Sequence, residues 1–355
     1  MLRRSTLWPT LASSGVPRCC GAPPDGKGRG MRTEVSEWLR RRTYRASTYS
    51  ASCLLEAKRG DDCTVSVVLP ARNEEATVGA IVDAVRCAFV ERVALVDELV
   101  VMNSGSTDRT ARVAADAGAR VVHVDDVLPR FGHVPGKGEA LWKALYATDG
   151  DIVVFLDADV RGFDPQFVLG LLGPLITNPA VGYVKGLYDR PLTTSEGLVP
   201  SGGGRVTELT ARPLLGALWP HLSGFVQPLS GEYAGRRRLL EQVPFVSHYG
   251  VEFGLLVDLA ELAGMDALAQ VDLGTRQHSH QTDAALGRMA AQILQTALAR
   301  CPALQVPGDE LLQFVRDGAD VEAVSWDIGV LERPPMATVP EYRARRAARG
   351  AGRST

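Results

Sequence analysis

Between residues 64 and 187 the chain repeats one pattern. A short run of β-branched and apolar residues ends in a polar cluster, and about ten residues of helical periodicity follow. The first such run is Val65-Ser66-Val67-Val68-Leu69-Pro70, which leads into Asn73-Glu74-Glu75-Ala76-Thr77 and a helix expected to reach residue 89. Residues 97–102, 119–124 and 151–156 read as further strands, and 181–187 as extended. Helices are expected at 108–117, 137–148 and 165–177. Strands joined through helices by short loops run parallel and are covered on both faces. The expected fold class is therefore α/β: a Rossmann-like, mostly parallel sheet with helices on both faces, plus a smaller C-terminal part. Ligands of such sheets sit outside the carboxyl ends of the strands. The clusters Asn73/Glu74, Ser104/Asp108 and Asp157/Asp159 should then converge on one crevice.

The charge is unevenly distributed. Residues 1–60 hold 12 basic and 4 acidic side chains, and residues 333–355 hold 6 and 1. The body between them is left with 21 and 36, a net charge of −15. Order is expected to begin near Thr64, with 1–60 a basic disordered extension and 333–355 a basic tail. Residues 61–190 and 191–332 are expected to form two functional halves. Phosphate neutralisation needs clustered cations, so an acidic body argues against a nucleic-acid partner. No apolar run reaches the ~18–20 residues needed to span a bilayer. Six scattered cysteines without a CxxC pair suit a reducing compartment, and the expected location is cytoplasmic.

The polar clusters carry the chemistry. Asp157-Ala158-Asp159 closes the strand Ile152-Val153-Val154-Phe155-Leu156. Two carboxylates at a strand end can face one hard cation, Mg²⁺ or Mn²⁺, of the kind that bridges a diphosphate. In Pro70-Ala71-Arg72-Asn73-Glu74-Glu75 the acceptors could meet a nucleobase edge or a ribose, or simply open a helix. Neither GxGxxG nor a Walker lysine accompanies them. Gly136-Lys137-Gly138 and Ser201-Gly202-Gly203-Gly204-Arg205-Val206-Thr207 each place a free backbone and a cation before a helix, as an anion site requires. A solvated Lys137 and a merely flexible glycine loop are the alternatives. His278-Ser279-His280 puts two imidazoles two residues apart after a strand, where one could complete a metal site. Tyr249-Gly250-Val251-Glu252 sets a carboxylate at a helix start, to hold sugar hydroxyls or to cap.

With Pro135-Gly136-Lys137-Gly138-Glu139-Ala140-Leu141-Trp142, Gly202-Gly203-Gly204-Arg205-Val206-Thr207-Glu208-Leu209 and Gln227-Pro228-Leu229-Ser230-Gly231-Glu232-Tyr233, the set resembles nucleotide-sugar glycosyltransferases of the GT-A fold. From residue 65 to about 300 it looks like the glucosyl-3-phosphoglycerate synthases of actinobacteria. The resemblance implies a retaining transfer of glucose from UDP-glucose to the 2-hydroxyl of D-3-phosphoglycerate by a Mg²⁺-dependent homodimer. Position by position, it implies that Pro70, Ala71, Glu74 and Ser104 contact uridine. Gly136 and Lys137 would lie over the donor, with Lys137 near its phosphate. Asp159 and His278 would bind metal, Asp157 would face ribose and sugar, and Glu252 would accept from glucose hydroxyls. Gly204, Arg205 and Thr207 would hold phosphoglycerate. Two positions depart from the pattern: His280 stands where related enzymes often have Asn in the acceptor site, and Arg72 replaces an apolar residue. The rivals implied are a mannosyl-3-phosphoglycerate synthase using GDP-mannose and a polyprenyl-phosphate sugar transferase.

Overall fold

The structure, a computed structural model, describes residues 31–189, 192–194, 197–199, 204–276, 282–301, 308–317 and 320–353. In chain order the strands are β1 (Thr43–Arg45), β2 (Val65–Ala71), β3 (Glu98–Asn103), β4 (Arg120–His123), β5 (Ile152–Phe155), β6 (Tyr183–Asp189), β7 (Leu192–Thr194), β8 (Gly197–Val199), β9 (Tyr233–Arg236), β10 (Phe245–Val246), β11 (Leu268–Thr275), β12 (Glu310–Asp317), β13 (Asp320–Asp327) and β14 (Glu332–Arg333). Eight form the central sheet in the order β1-β11-β6-β9-β5-β2-β3-β4. All its pairings are parallel except those of β9, which runs antiparallel between β5 and β6.

Period-two alternation explains the two layers. Val68, Val100, Met102, Val153 and Phe155 point to one core, packed by the helices Lys137–Ala147 and Val251–Ala263. Val65, Val67, Leu69, Val101 and Val154 point to the other, packed by the helices Val78–Arg86 and Gln166–Thr177. The helix after β2 begins at Val78 rather than at Asn73, because Asn73 takes a left-handed turn with φ 59°. No helix among the described residues is long and apolar enough to cross a membrane.

Two expectations are corrected. Regular structure is already present at Thr33, ahead of Thr64, and Thr33–Thr355 is one compact unit. The helix Thr33–Arg42 buries Val35 and Trp38, and β1 extends the sheet by pairing with β11 from Thr43↔Gln270 to Arg45↔Asp272. The segment was misread because its basic side chains cover an apolar stripe only ten residues long, which composition averages away. Residues 1–30 lie outside the described residues. Residues 333–353 likewise are no loose tail. Buried Arg333 donates twice to Glu139, at 2.6 and 2.9 Å, and the helix Pro340–Arg353 docks through Tyr342 on Glu241 and Arg345 on Asp149. β12 and β13 form a hairpin that the irregular C-terminal sequence did not announce.

Candidate active site

The carboxyl ends of the parallel strands carry the polar clusters to one side. β2 ends at Ala71 and β3 at Asn103, joined by Ser104 N–H donating to the Ala71 carbonyl at 2.9 Å. The turn after β2 is clamped to the turn after β3. Asn73 Oδ1 accepts from Thr107 N–H at 2.8 Å, and Glu74 N–H donates to Thr110 Oγ1 at 2.7 Å. Asn73 and Asp108 are thus spent on the scaffold, while Glu74 and Ser104 line a cavity of about 940 Å³. Pro70, Ala71, Gly136, Lys137, Asp157, Asp159, Gly204, Arg205, Thr207 and Glu252 line the same cavity. Apart from Asn73 and Asp108, which the two turns use, the described residues expected at the site line this cavity together. His278 and His280, and the glycines Gly202 and Gly203, lie outside the described residues.

Lys137 opens its helix after Gly136, whose φ of 112° belongs to glycine and whose added Cβ would stand 2.8 Å from the His248 backbone. From there its ammonium reaches Asp157 Oδ1 at 2.5 Å and Glu252 Oε1 at 2.7 Å. Glu252 sits in the first turn of its helix, where the dipole favours a carboxylate. Burial opposes the Lys137 charge, but the two carboxylates outweigh it and raise the ammonium well above its ordinary range. Burial likewise works against the Asp157 carboxylate, and Lys137 and Arg276 override it and hold the group below its usual range.

Arg276 is the residue that sequence reasoning missed. At the end of β11 it is buried. Its Nη2 lies 3.2 Å from Asp157 Oδ2 and 3.0 Å from Asp159 Oδ1, and its Nη1 lies 2.8 Å from Glu232 and 2.7 Å from the Tyr188 hydroxyl. Glu232 and the buried Lys185 went unassigned as well. Arg276 follows a strand, and the rule that located Asp157 would have located it. Glu232 stands inside a quoted motif, and only the fold shows its partner.

The oxygens of Asp157 and Asp159 thus converge on one cationic nitrogen. Oxygen ligands directed at one point suit a hard divalent cation. Among the described residues no group of three or more His, Cys, Asp or Glu side chains could hold a metal ion. Burial and the neighbouring Asp157 both raise the Asp159 pKa. Burial first, then Asp159, pushes Glu74 up to about 6. Arg205 pairs with Asp283 at the start of the helix Asp283–Ala299, Thr207 is buried, and Trp326 and Asp327 of β13 also line the cavity.

The chain is similar to known glycosyltransferases. The family model described as Glycosyl transferase family 2 matches residues 66–233. The glucosyl-3-phosphoglycerate synthase of Petrotoga mobilis is 41% identical over 314 residues, 86% of this chain and 96% of its own length. That of Mycolicibacterium smegmatis is 47% identical over 302 residues, 85% of this chain and 98% of its own. Among solved structures, the glucosyl-3-phosphoglycerate synthase of Mycobacterium tuberculosis in complex with Mn²⁺, UDP-glucose and phosphoglyceric acid is similar with a TM-score of 0.73 at 46% identity, covering 81% of this chain and 94% of that one. The mannosyl-3-phosphoglycerate synthase of Rubrobacter xylanophilus is similar with a TM-score of 0.78 at 37% identity, covering 86% of this chain and 98% of that one.

Proposed function

From the premise that this chain belongs to the glucosyl-3-phosphoglycerate synthases, within glycosyl transferase family 2, we propose that it transfers glucose from UDP-glucose to the 2-hydroxyl of D-3-phosphoglycerate. The observation that carries this reading is that Glu74 and Ser104, Lys137 and Asp157, and Arg205 and Thr207 all line one cavity. We assign the first pair to the nucleoside, the second to the diphosphate and sugar, and the third to the anionic acceptor.

The cofactor is a divalent cation, Mg²⁺ or Mn²⁺, which we assign to Asp159 with Asp157 and the expected His278. When bound it supplies Lewis-acid neutralisation of the departing diphosphate. The chain's own residues do the rest. Lys137 adds a fixed positive charge where the leaving group gains its negative charge, and Asp157 and Glu252 hold that ammonium in place. Pro70, Ala71, Glu74, Ser104 and Gly136 are assigned to the nucleoside and donor. Gly204, Arg205 and Thr207, with the expected His280, are assigned to the acceptor. Arg205 orients the acceptor as a planar fork to phosphate or carboxylate.

Retention invites a carboxylate nucleophile. Glu252, however, is committed to Lys137 at 2.7 Å. We therefore favour front-face substitution. The bond from the anomeric carbon to the phosphate oxygen breaks, the bond to the acceptor hydroxyl oxygen forms on the same face, and the hydroxyl proton passes to the leaving phosphate oxygen. A covalent glucosyl adduct trapped on Glu252 would overturn this step.

Within the unit, residues 61–190 are the proposed donor half and 191–332 the acceptor half. A homodimer in the cytoplasm is the proposed setting, and sedimentation of the purified chain checks the assembly. The test of function is incubation with UDP-glucose, GDP-glucose or GDP-mannose, plus D-3-phosphoglycerate and Mg²⁺. UDP release dependent on the acceptor is expected. Release of GDP from GDP-mannose alone would make the chain a mannosyl enzyme, and no acceptor-dependent release from any donor would sink the proposal.

A further inference from the structure

Lys185 lies on β6 beneath the cavity floor, with its side chain buried. An ammonium removed from water is costly unless its donors are used and its charge is balanced. Among the described residues no carboxylate stands within ion-pair distance of it. Instead, its Nζ donates to the Ser230 carbonyl at 3.0 Å and to the Tyr183 hydroxyl at 3.5 Å, and lies 4.7 Å from the centre of the Tyr233 ring. The charge is spent on a main-chain carbonyl and an aromatic face.

What that carbonyl belongs to gives the contact its meaning. Ser230 stands between Leu229 and Gly231, both of which line the cavity. Gly231 is pressed so closely on Asp157 that an added Cβ would fall on its carboxylate. One residue further, the Glu232 carbonyl accepts from Gly186 N–H at 2.8 Å, and the Glu232 carboxylate pairs with Arg276. β6 therefore grips this segment at two successive points, the Lys185 side chain and the Gly186 amide. On the far side, the segment bears on the same Asp157 that holds Lys137.

We propose that Lys185 is a positioning residue for the transfer: through the Ser230 carbonyl, its buried ammonium fixes residues 229–231 against Asp157, where sugar and acceptor meet. The inference rests on the proposed glucosyl transfer. It goes beyond that reading by assigning part of the turnover to a residue that lines no part of the cavity.

The charged and titratable groups facing Lys185 come from each packed element. They are Tyr183 on its own strand, Tyr233 on β9 and Glu232 before it, Asp157 after β5, Lys137 from its helix and Glu252 from its own. Burial lowers the amine most. Glu252 supports the charge and Lys137 opposes it, and the result lies at about 7. The ammonium is therefore lost as pH rises through neutrality, and its hold on the Ser230 carbonyl weakens in the same direction.

The test compares wild type with K185M and K185R in Mn²⁺ buffer. Calorimetry gives the UDP affinity, and steady-state assays give kcat and KM between pH 6 and 9. K185M is expected to bind UDP and to keep KM for UDP-glucose within ~3-fold, while kcat falls ~10- to 100-fold. K185R keeps a permanent charge. It is expected to recover much of that loss and to lack the fall in kcat expected of wild type above pH 7. Normal kcat in a K185M enzyme that binds UDP normally would overturn the proposal. If K185M does not fold, the K185R profile decides: an alkaline fall identical to that of wild type overturns it. A wild type without acceptor-dependent UDP release would be a separate failure, that of the transfer reading itself, and would take this inference with it.

Discussion

Arg276 Nη2 lies 3.0 Å from Asp159 Oδ1, so a buried guanidinium already occupies the carboxylate that we assign to the divalent cation. Under that assignment guanidinium and cation would share Asp159, with Asp157 and Glu232 as the further acids beside Arg276. Asp159→Asn keeps the shape and removes the charge. Mn²⁺ affinity in the presence of UDP, read by calorimetry, is expected to fall at least ~10-fold, with kcat falling further. Removing metal with a chelator should stop turnover, and Mg²⁺ or Mn²⁺ should restore it. Unchanged Mn²⁺ affinity in the variant would refute the assignment of Asp159.

The acceptor end offers a separable prediction. Arg205 pairs with Asp283, and both side chains are substantially exposed. An exposed pair contributes at most ~1 kcal/mol, so an incoming phosphate can take its place at low cost. Arg205→Ala is expected to raise KM for 3-phosphoglycerate ~10- to 100-fold while UDP affinity stays put. Asp283→Asn should leave stability within ~0.5 kcal/mol. Equal losses of donor and acceptor binding in Arg205→Ala would argue against an acceptor role.

Glu74 supplies a pH signature. Burial and the neighbouring Asp159 raise its carboxyl from an ordinary 4.5 to about 6 in the fold. The folded state then holds the proton more tightly than the unfolded chain. Its contribution to stability is present below 4.5 and is lost as pH rises through about 6. In metal-free protein the difference in stability between wild type and Glu74→Gln should therefore shift against wild type between pH 4.5 and 7, as read by thermal melts. A difference independent of pH would contradict the raised value.

Arg333 and Glu139 form a buried two-point pair, with Glu139 two residues after Lys137 in the same helix. Glu139 keeps a second buried partner, Lys143 at 3.1 Å, so losing Arg333 should cost less than the about 3–5 kcal/mol of a fully uncompensated buried charge. Arg333→Met is expected to lower the urea midpoint accordingly. Truncation after residue 332 should also impair turnover, because the helix carrying Lys137 loses its anchor. A truncated chain as stable and active as wild type would show that residues 333–353 are dispensable.

Much of the donor side was legible because its signals are local. Val65 to Pro70 and Ile152 to Leu156 declare strands through their own composition, and the residues after each strand inherit a position at its carboxyl end. Asn73/Glu74, Ser104/Asp108 and Asp157/Asp159 could thus be gathered at one crevice before any coordinates, although the fold uses Asn73 and Asp108 in its turns, and Lys137 was placed there only by the resemblance. β9 was not legible. Tyr233-Ala234-Gly235-Arg236 is four residues long and contains a glycine, and it becomes a strand by filling the slot between β5 and β6. β1 is shorter still, and its partner β11 lies more than 220 residues away.

The sequence by itself determined the alternation of strand and helix, the parallel sheet it forces, and the side of that sheet where acids and cations would collect. These follow from hydrophobic period and chain direction, which are properties of neighbouring residues. Only the tertiary structure decided which cation meets which carboxylate. Lys137 pairs with Asp157 and with Glu252, more than a hundred residues away. Arg276 spans Asp157, Asp159 and Glu232, and Lys185 ends on a carbonyl instead of an acid. Burial makes such pairings decisive, since an ion out of water must be balanced at short range. Short range in space is set by how the strands and helices pack, which no local stretch of the chain records.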